Sequence, residues 1–188
     1  MKKSLIVFEG LDCSGKTTII REILKQRNDQ FVYNKGMGSD TAIGRISRRF
    51  PSTFMFFIEL IYTLFTKIKP NLKKGKTILQ DRYDISITSY VPLTDKWYNR
   101  LIIKISKPFI IKPDAIAYFQ LPLDERIKRL KEKKTKYELM LSKNPDLIIK
   151  REKEYIKWYK RFKGYKIKID TKKNNIKQTV KILNKFIS

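Results

Sequence analysis

The segment Gly10-Leu11-Asp12-Cys13-Ser14-Gly15-Lys16-Thr17 fills every fixed position of the pattern G-x-x-x-x-G-K-[ST]. It constrains the fold more than any other feature, because such a loop functions only where a strand ends and a helix begins. Both flanks comply. Leu5–Glu9 is a short apolar run, and Ser14–Arg27 repeats its apolar residues at helical spacing. The glycines let the backbone curl so that successive N–H groups face one centre. The following helix adds the positive end of its dipole. Lys16 supplies a point charge to β- and γ-phosphates, and the Thr17 hydroxyl can hold Mg2+. Residues 10–18, Thr18 included, are therefore expected to bind ATP.

The rest of the chain alternates in the same way. Further strands are expected at Gln30–Tyr33, Thr77–Gln80, Ala115–Gln120 and Tyr165–Ile169. Helices are expected at Thr41–Phe50, from Thr53 to about Lys74 with Gly75 as the stop, and at Leu123–Lys133, Pro145–Phe162 and Asn175–Phe186. Strands alternating with helices imply an α/β fold of three layers: a five-stranded parallel sheet with helices on both faces. The 188 residues show no linker or internal repeat, so residues 1–188 are read as one domain.

Composition excludes several chemistries. With no histidine and a single cysteine, Cys13, the chain offers no imidazole catalysis, internal disulfide or cysteine zinc cluster. That usage fits the reducing cytoplasm. No run of 18 apolar residues exists, so no membrane partner is expected. The net charge is +25, with more of the excess in residues 91–188. A surface this positive attracts polyanions. The basic residues are dispersed, and the aromatics do not interleave with them, which disfavours nucleic acid as a partner.

From Phe8 onward the residues resemble the thymidylate kinase family. The P-loop segment Phe8 to Thr18, the motif Asp81-Arg82-Tyr83-Asp84-Ile85-Ser86, and Pro113-Asp114 before a strand and helix occur in the family's order and near its spacing. The resemblance implies ATP and Mg2+ as donor system and a nucleoside monophosphate as acceptor, most simply dTMP converted to dTDP. It implies catalytic roles for Lys16, Asp81 and Arg82, with Thr17 and Asp81 at the metal. Asp12 would bind the acceptor's 3′-hydroxyl, Arg82 would contact phosphate, and Phe57 would stack on the base. Ser86 and Tyr90 follow the motif on the acceptor side. Residues 131–143 look like a short mobile lid, with Tyr137 facing the acceptor and Arg126 and Lys136 facing ATP. The apolar stretch Phe54–Phe65 allows the homodimer that the family often forms.

Four positions depart from the family. Cys13 stands where some members have a P-loop arginine, and the lid carries lysines instead of arginines. The position four residues after Phe57, where the family reads thymine with an arginine, is Ile61. The acceptor-phosphate arginine aligns with Ser39, which leaves Lys35, Arg45 or Arg48 to replace it. After Ser89-Tyr90 comes Val91, where the family usually has a polar residue that contacts the base. An apolar pocket discriminates weakly among bases. Ile61 therefore keeps open a same-fold kinase with another acceptor: a different nucleotide, a nucleoside or a phosphorylated metabolite. The +25 charge keeps open a P-loop ATPase on nucleic acid. Glu59, Tyr62 and Tyr90 are the candidates to read the base if dTMP is selected.

Overall fold

The computed structural model of the chain describes residues 4–27, 30–89, 97–133 and 136–187, with Lys136 described by its backbone only. Five strands, β1 (Leu5–Glu9), β2 (Phe31–Lys35), β3 (Thr77–Asp81), β4 (Ala115–Gln120) and β5 (Tyr165–Asp170), form one sheet in the order β2-β3-β1-β4-β5. Every pairing is parallel, as the alternation of strand and helix predicts. The helices are α1 (Lys16–Arg27), α2 (Ala42–Arg49), α3 (Thr53–Thr63), α4 (Lys69–Lys73), α5 (Asp84–Thr88), α6 (Trp97–Ser106), α7 (Leu123–Lys133), α8 (Lys136–Ser142), α9 (Pro145–Arg161) and α10 (Ile176–Phe186).

Strand β1 is central, and all five of its residues are buried. Its side chains alternate between the two faces of the sheet. Ile6 and Phe8 join Ile19, Ile20 and Ile23 of α1 and Val180 and Leu183 of α10. Leu5 and Val7 meet Phe57, Leu60 and Leu64 on the other face. A third cluster, with Leu11, Leu130, Leu141, Ile148 and Tyr155, seats α7, α8 and α9 beside the P-loop. The pairing Phe8↔Asp81 brings the ends of β1 and β3 level, so both strands deliver their loops to one edge.

The helix expected from Thr53 is present, with one irregularity. Leu64–Ile68 forms a π-helical turn between α3 and α4. Pro70 supplies a reason: proline has no N–H, and its ring crowds the carbonyl one turn back. A wider turn relieves that crowding. Helices α5, α6 and α8 have no counterpart in the sequence reading. α5 and α8 have five and seven residues, too few to show a 3.6-residue period. In α6, apolar residues sit on every side: Trp97, Tyr98, Leu101, Ile102, Ile103 and Ile105. The segment expected as a lid comprises the end of α7 and all of α8, tied by Lys133 Nζ to Glu138 Oε1 at 3.1 Å. Among the described residues no helix is long and apolar enough to cross a membrane.

Candidate active site

The P-loop leaves β1 at Gly10. A Cβ there would lie 2.4 Å from the carbonyl oxygen of Phe119, so the neighbouring strand β4 leaves room only for glycine. Gly15 has open space around it but takes φ +83°, a conformation glycine adopts without penalty. Between them Cys13 also lies in left-handed space, at φ +62°. The Lys16 side chain folds back into the curl. Its Nζ donates to Gly10 O at 2.6 Å, Leu11 O at 3.0 Å and Ser14 Oγ at 3.0 Å. Burial, and then the nearby Arg82 charge, push the Lys16 amine down to about 7, against the pull of Asp81, Asp12 and Glu9.

At the head of α1, Thr17 Oγ1 donates to Asp81 Oδ2 at 2.7 Å. The other Asp81 oxygen, Oδ1, is buried and has no hydrogen-bond partner among the described residues. An unsatisfied buried acceptor costs roughly 1–3 kcal/mol. A cation beside Thr17 and Asp81 removes that cost. Mg2+ suits the pair, because it takes oxygen ligands, keeps several waters and completes its shell on phosphates. The described residues hold no group of three or more His, Cys, Asp or Glu side chains arranged for a metal. Thr17 and Asp81 therefore fit a metal shared with a bound nucleotide.

The third element is the turn after β3. Arg82 adopts φ +66°, a strained value for a residue with a Cβ. Its neighbours determine it closely. Arg82 N donates to Phe8 O at 3.1 Å, and Gln80 Nε2 donates to Arg82 O at 2.7 Å. The next N–H, of Tyr83, donates to the buried Glu9 carboxylate at 2.5 Å, which also accepts from Ser86 Oγ at 2.6 Å. Burial pushes the Glu9 carboxyl up, against those hydrogen bonds and the Arg82 charge. The Arg82 side chain lies against Asp12, with Nη2 to Oδ1 at 2.6 Å. The second Asp12 oxygen accepts from Arg151 Nη1 at 3.2 Å. Burial alone would raise the Asp12 carboxyl, but Arg82, Arg151 and Lys16 hold it well below the usual carboxylate range.

Two cavities flank the P-loop. One, of about 610 Å3, is walled by Asp12, Met37, Gly38, Arg48, Thr53, Phe56, Arg82, Ile87 and Tyr137. The other, of about 590 Å3, is walled by Gly15, Thr18, Ile19, Arg129, Thr171 and Asn174 among others. A larger groove of about 690 Å3 between α1 and α10 touches no residue of the loop, so size does not mark the chemistry here.

Several expectations need correction. Phe57 is 2% exposed and packs in the core with Leu60 and Leu64, whereas Phe56 faces the cavity. The period shows why: Phe57, Leu60, Leu64 and Ile68 recur at intervals of three and four, which is the buried stripe of the helix. Ser86 is fully buried, and its hydroxyl is spent on Glu9 and Tyr155. Arg126 is 1% exposed and, among the described residues, does not wall the second cavity. It donates to Asp12 O at 2.9 Å and Leu121 O at 2.9 Å and pairs with Glu152. Arg129, one turn on, reaches Cys13 O at 3.4 Å and walls the second cavity instead.

On the acceptor side, Arg45 is exposed and donates to the Asp40 carbonyl, and Lys35 ends β2. Among the described residues neither lines the first cavity, while Arg48 does. Ser39 is buried, with its N–H on Glu59. Glu59 cannot read a base, because its two oxygens accept from Gly38 N, Ser39 N and Ser47 Oγ. Tyr62 is partly exposed and, among the described residues, does not line this cavity. Tyr90, Val91 and the Lys136 side chain lie outside the described residues. Arg151 and Phe56 were missed. Helical phase could have identified Phe56, but no local signal marks Arg151, which meets Asp12 across 139 positions of chain.

Comparison with known proteins agrees with this geometry. The family profile for thymidylate kinase matches residues 8–182. The probable thymidylate kinase of Thermococcus onnurineus is 28% identical over 86% of this chain and 87% of its own length. The probable thymidylate kinase 1 of Saccharolobus solfataricus is 27% identical over 97% and 98%. Among solved structures, the Candida albicans thymidylate kinase superposes with TM-score 0.73 at 20% identity, covering 99% of this chain and 91% of that one. The Ehrlichia chaffeensis thymidylate kinase gives TM-score 0.73 at 17% identity, covering both chains fully. With the profile spanning most of its length and the P-loop and Asp-Arg-Tyr turn meeting at one edge of the sheet, the chain belongs to the thymidylate kinase family of ATP-dependent phosphotransferases.

Proposed function

We propose that the chain phosphorylates dTMP to dTDP with ATP and Mg2+. The observation that carries this reading is the pair of cavities on either side of the P-loop, with Lys16, Thr17, Asp81 and Arg82 between them. The cavity at Thr18, Arg129 and Asn174 takes the ATP base and ribose. The cavity at Asp12, Phe56 and Tyr137 takes the acceptor.

Phosphoryl transfer asks the protein for alignment and charge neutralisation more than for covalent help. Lys16 leaves its carbonyl partners for the β/γ-phosphate oxygens. Thr17 and Asp81 would hold Mg2+, which would supply further charge neutralisation to the phosphates. Arg82, with Arg48 on the opposite wall, orients the acceptor phosphate. Asp12 accepts a hydrogen bond from the 3′-hydroxyl, and Phe56 stacks on the base. Tyr137, at the head of α8, lets the lid sense an occupied acceptor cavity. The single-cysteine composition suits a cytoplasmic enzyme.

Base selection is expected to be weak. With Phe56 as the stacking ring, the residue four positions on is Leu60, which is buried. Neither Leu60 nor Ile61 offers a hydrogen bond. Ser52, Thr53 and Tyr137 supply the hydroxyls of this cavity, and Ser52 already caps α3 by accepting from Met55 N. Stacking tolerates any planar base. The ratio of kcat/KM for dTMP to that for dCMP is expected to stay below about a thousandfold. Kinetics on dTMP, dUMP, dCMP and dGMP at fixed ATP checks this. A larger ratio makes Thr53 the first residue to substitute. Turnover of none of the four favours a different acceptor class. Broad substrate specificity has been described for the Candida albicans enzyme.

The homodimer reading also has a physical basis. Trp97, Leu101 and Ile105 form an exposed apolar row on α6, which packs against α3, and Phe54, Tyr62 and Phe65 are exposed on α3 and the π turn. A second copy of the chain would cover this face. Light scattering is expected to give the mass of two chains for the wild type and of one for Ile105→Glu. One-chain mass for the wild type overturns the reading.

A further inference from the structure

We propose that Arg151 is a positioning residue for the acceptor site: it holds Asp12 aimed at the acceptor sugar when Arg82 turns to phosphate. This rests on the acceptor reading above, through the Asp12–sugar contact.

The two arginines on Asp12 are not equivalent. Arg82 is 19% exposed on its side chain and lines the acceptor cavity. Arg151 is 2% exposed, sits on α9 behind the carboxylate, and among the described residues is not part of the cavity wall. A bound phosphate dianion can therefore draw Arg82 away from Asp12 but cannot reach Arg151. Arg82 holds Oδ1 and Arg151 holds Oδ2. Once Arg82 moves, Oδ1 is free to accept a hydroxyl hydrogen, and Oδ2 stays anchored.

Without Arg151 the same movement strands a carboxylate that is only 20% exposed. A buried charge deprived of its partner is strongly unfavourable. Lacking its anchor, the carboxylate would follow Arg82 toward the phosphate, and the acceptor would lose its sugar contact. Helix α9 also fixes the Asp12 backbone. Glu152, the next residue, pairs with Arg126 at 3.2 Å, and Arg126 donates to Asp12 O at 2.9 Å. Adjacent residues of one helix thus govern both the carboxylate and the carbonyl of Asp12.

The test is a cycle between enzyme and substrate. Wild type, Arg151→Met and Arg151→Lys are each assayed with dTMP and with 3′-deoxythymidine monophosphate, which lacks the hydroxyl. For dTMP, Arg151→Met is expected to lower kcat/KM by about thirtyfold, mainly through KM. For the 3′-deoxy acceptor the loss is expected to stay under about threefold. Arg151→Lys keeps the charge and should recover part of the dTMP activity. Equal losses on both acceptors would mean a purely structural role and overturn the proposal, as would an unchanged KM for dTMP. If Arg151→Met does not fold, as judged by circular dichroism, the same comparison on Arg151→Lys decides. Failure of the acceptor reading shows in the wild type alone. Equal use of the two acceptors there removes the Asp12–sugar contact whatever the variants do.

Discussion

Lys16→Ala is expected to abolish phosphoryl transfer, lowering kcat by about a hundredfold or more while the circular dichroism spectrum stays native. In the loop the ammonium is held by two carbonyls and the Ser14 hydroxyl, all within 3.0 Å. Alanine leaves that cage without a cation, so charge developing on the γ-phosphate goes uncompensated. The fold should survive, because β1 and α1 bury their apolar residues without help from this side chain. A pH dependence accompanies the prediction. Burial and the Arg82 charge push Lys16 down to about 7, and bound phosphates would raise it again. ATP binding then takes up a proton above about pH 7, and affinity should weaken as pH rises. Calorimetry in two buffers of different ionisation enthalpy measures that uptake. Near-native turnover in folded Lys16→Ala would overturn the central role of the loop.

The second large effect is expected at the end of β3. Asp81→Asn keeps an acceptor for Thr17 but loses the negative charge beside the site that fits Mg2+. We expect kcat/KM to fall by about a hundredfold, with a weaker apparent Mg2+ requirement site seen as a higher half-saturating metal concentration. The substitution should leave thermal stability nearly unchanged or improve it, since Oδ1 is an unpaired buried acceptor in the wild type. Arg82→Ala should be impaired to a similar degree for a different reason: it removes the cation on the acceptor side. Metal titration separates the two, because only Asp81→Asn should shift the metal dependence. Native-like kinetics in both variants would leave the turn as a surface ion pair.

Much of this was readable from residues in order. The P-loop is contiguous, so its chemistry and its place between strand and helix follow from nine consecutive letters. Apolar runs marked β1, β3 and β4, because strands buried on both faces carry little else, and shorter apolar patterns marked the half-exposed edge strands β2 and β5. The acceptor site was harder, since its walls come from the P-loop, the loop after β2, α2, α3, the turn after β3, α5 and α8. Counting back from Asp81 to an aromatic misses by one, and on a helix one residue is a rotation of about 100°. That error turns Phe56, on the wall, into Phe57, in the core. Glu59 looked like a polar group free to read a base. Its real task is to accept three hydrogen bonds from residues 38, 39 and 47, which only the folded chain brings together. Arg126 and Arg129 illustrate the same limit, for three residues apart on α7 one is sealed behind the loop and the other opens on a cavity.

The central place of β1 in the sheet also governs how the chain must assemble. Of the five strands, β1 precedes the others in the sequence, and its sequence neighbour β2 is not its partner. Leu5 pairs with Ile78, and Ile6 pairs with both Leu79 and Ala115. During synthesis, therefore, one edge of this apolar strand waits for residues 77–81, and the other for residues 115–120. Loop closure over such separations slows folding, and an unpaired apolar strand invites association with other chains. Residues 1–90 carry 16 basic and 8 acidic groups, net +8, so half-made copies already repel one another before their exposed strands can meet. On this view the lysine-rich surface serves the nascent protein as much as the finished enzyme, by keeping the phosphate loop's own strand single until its partners arrive.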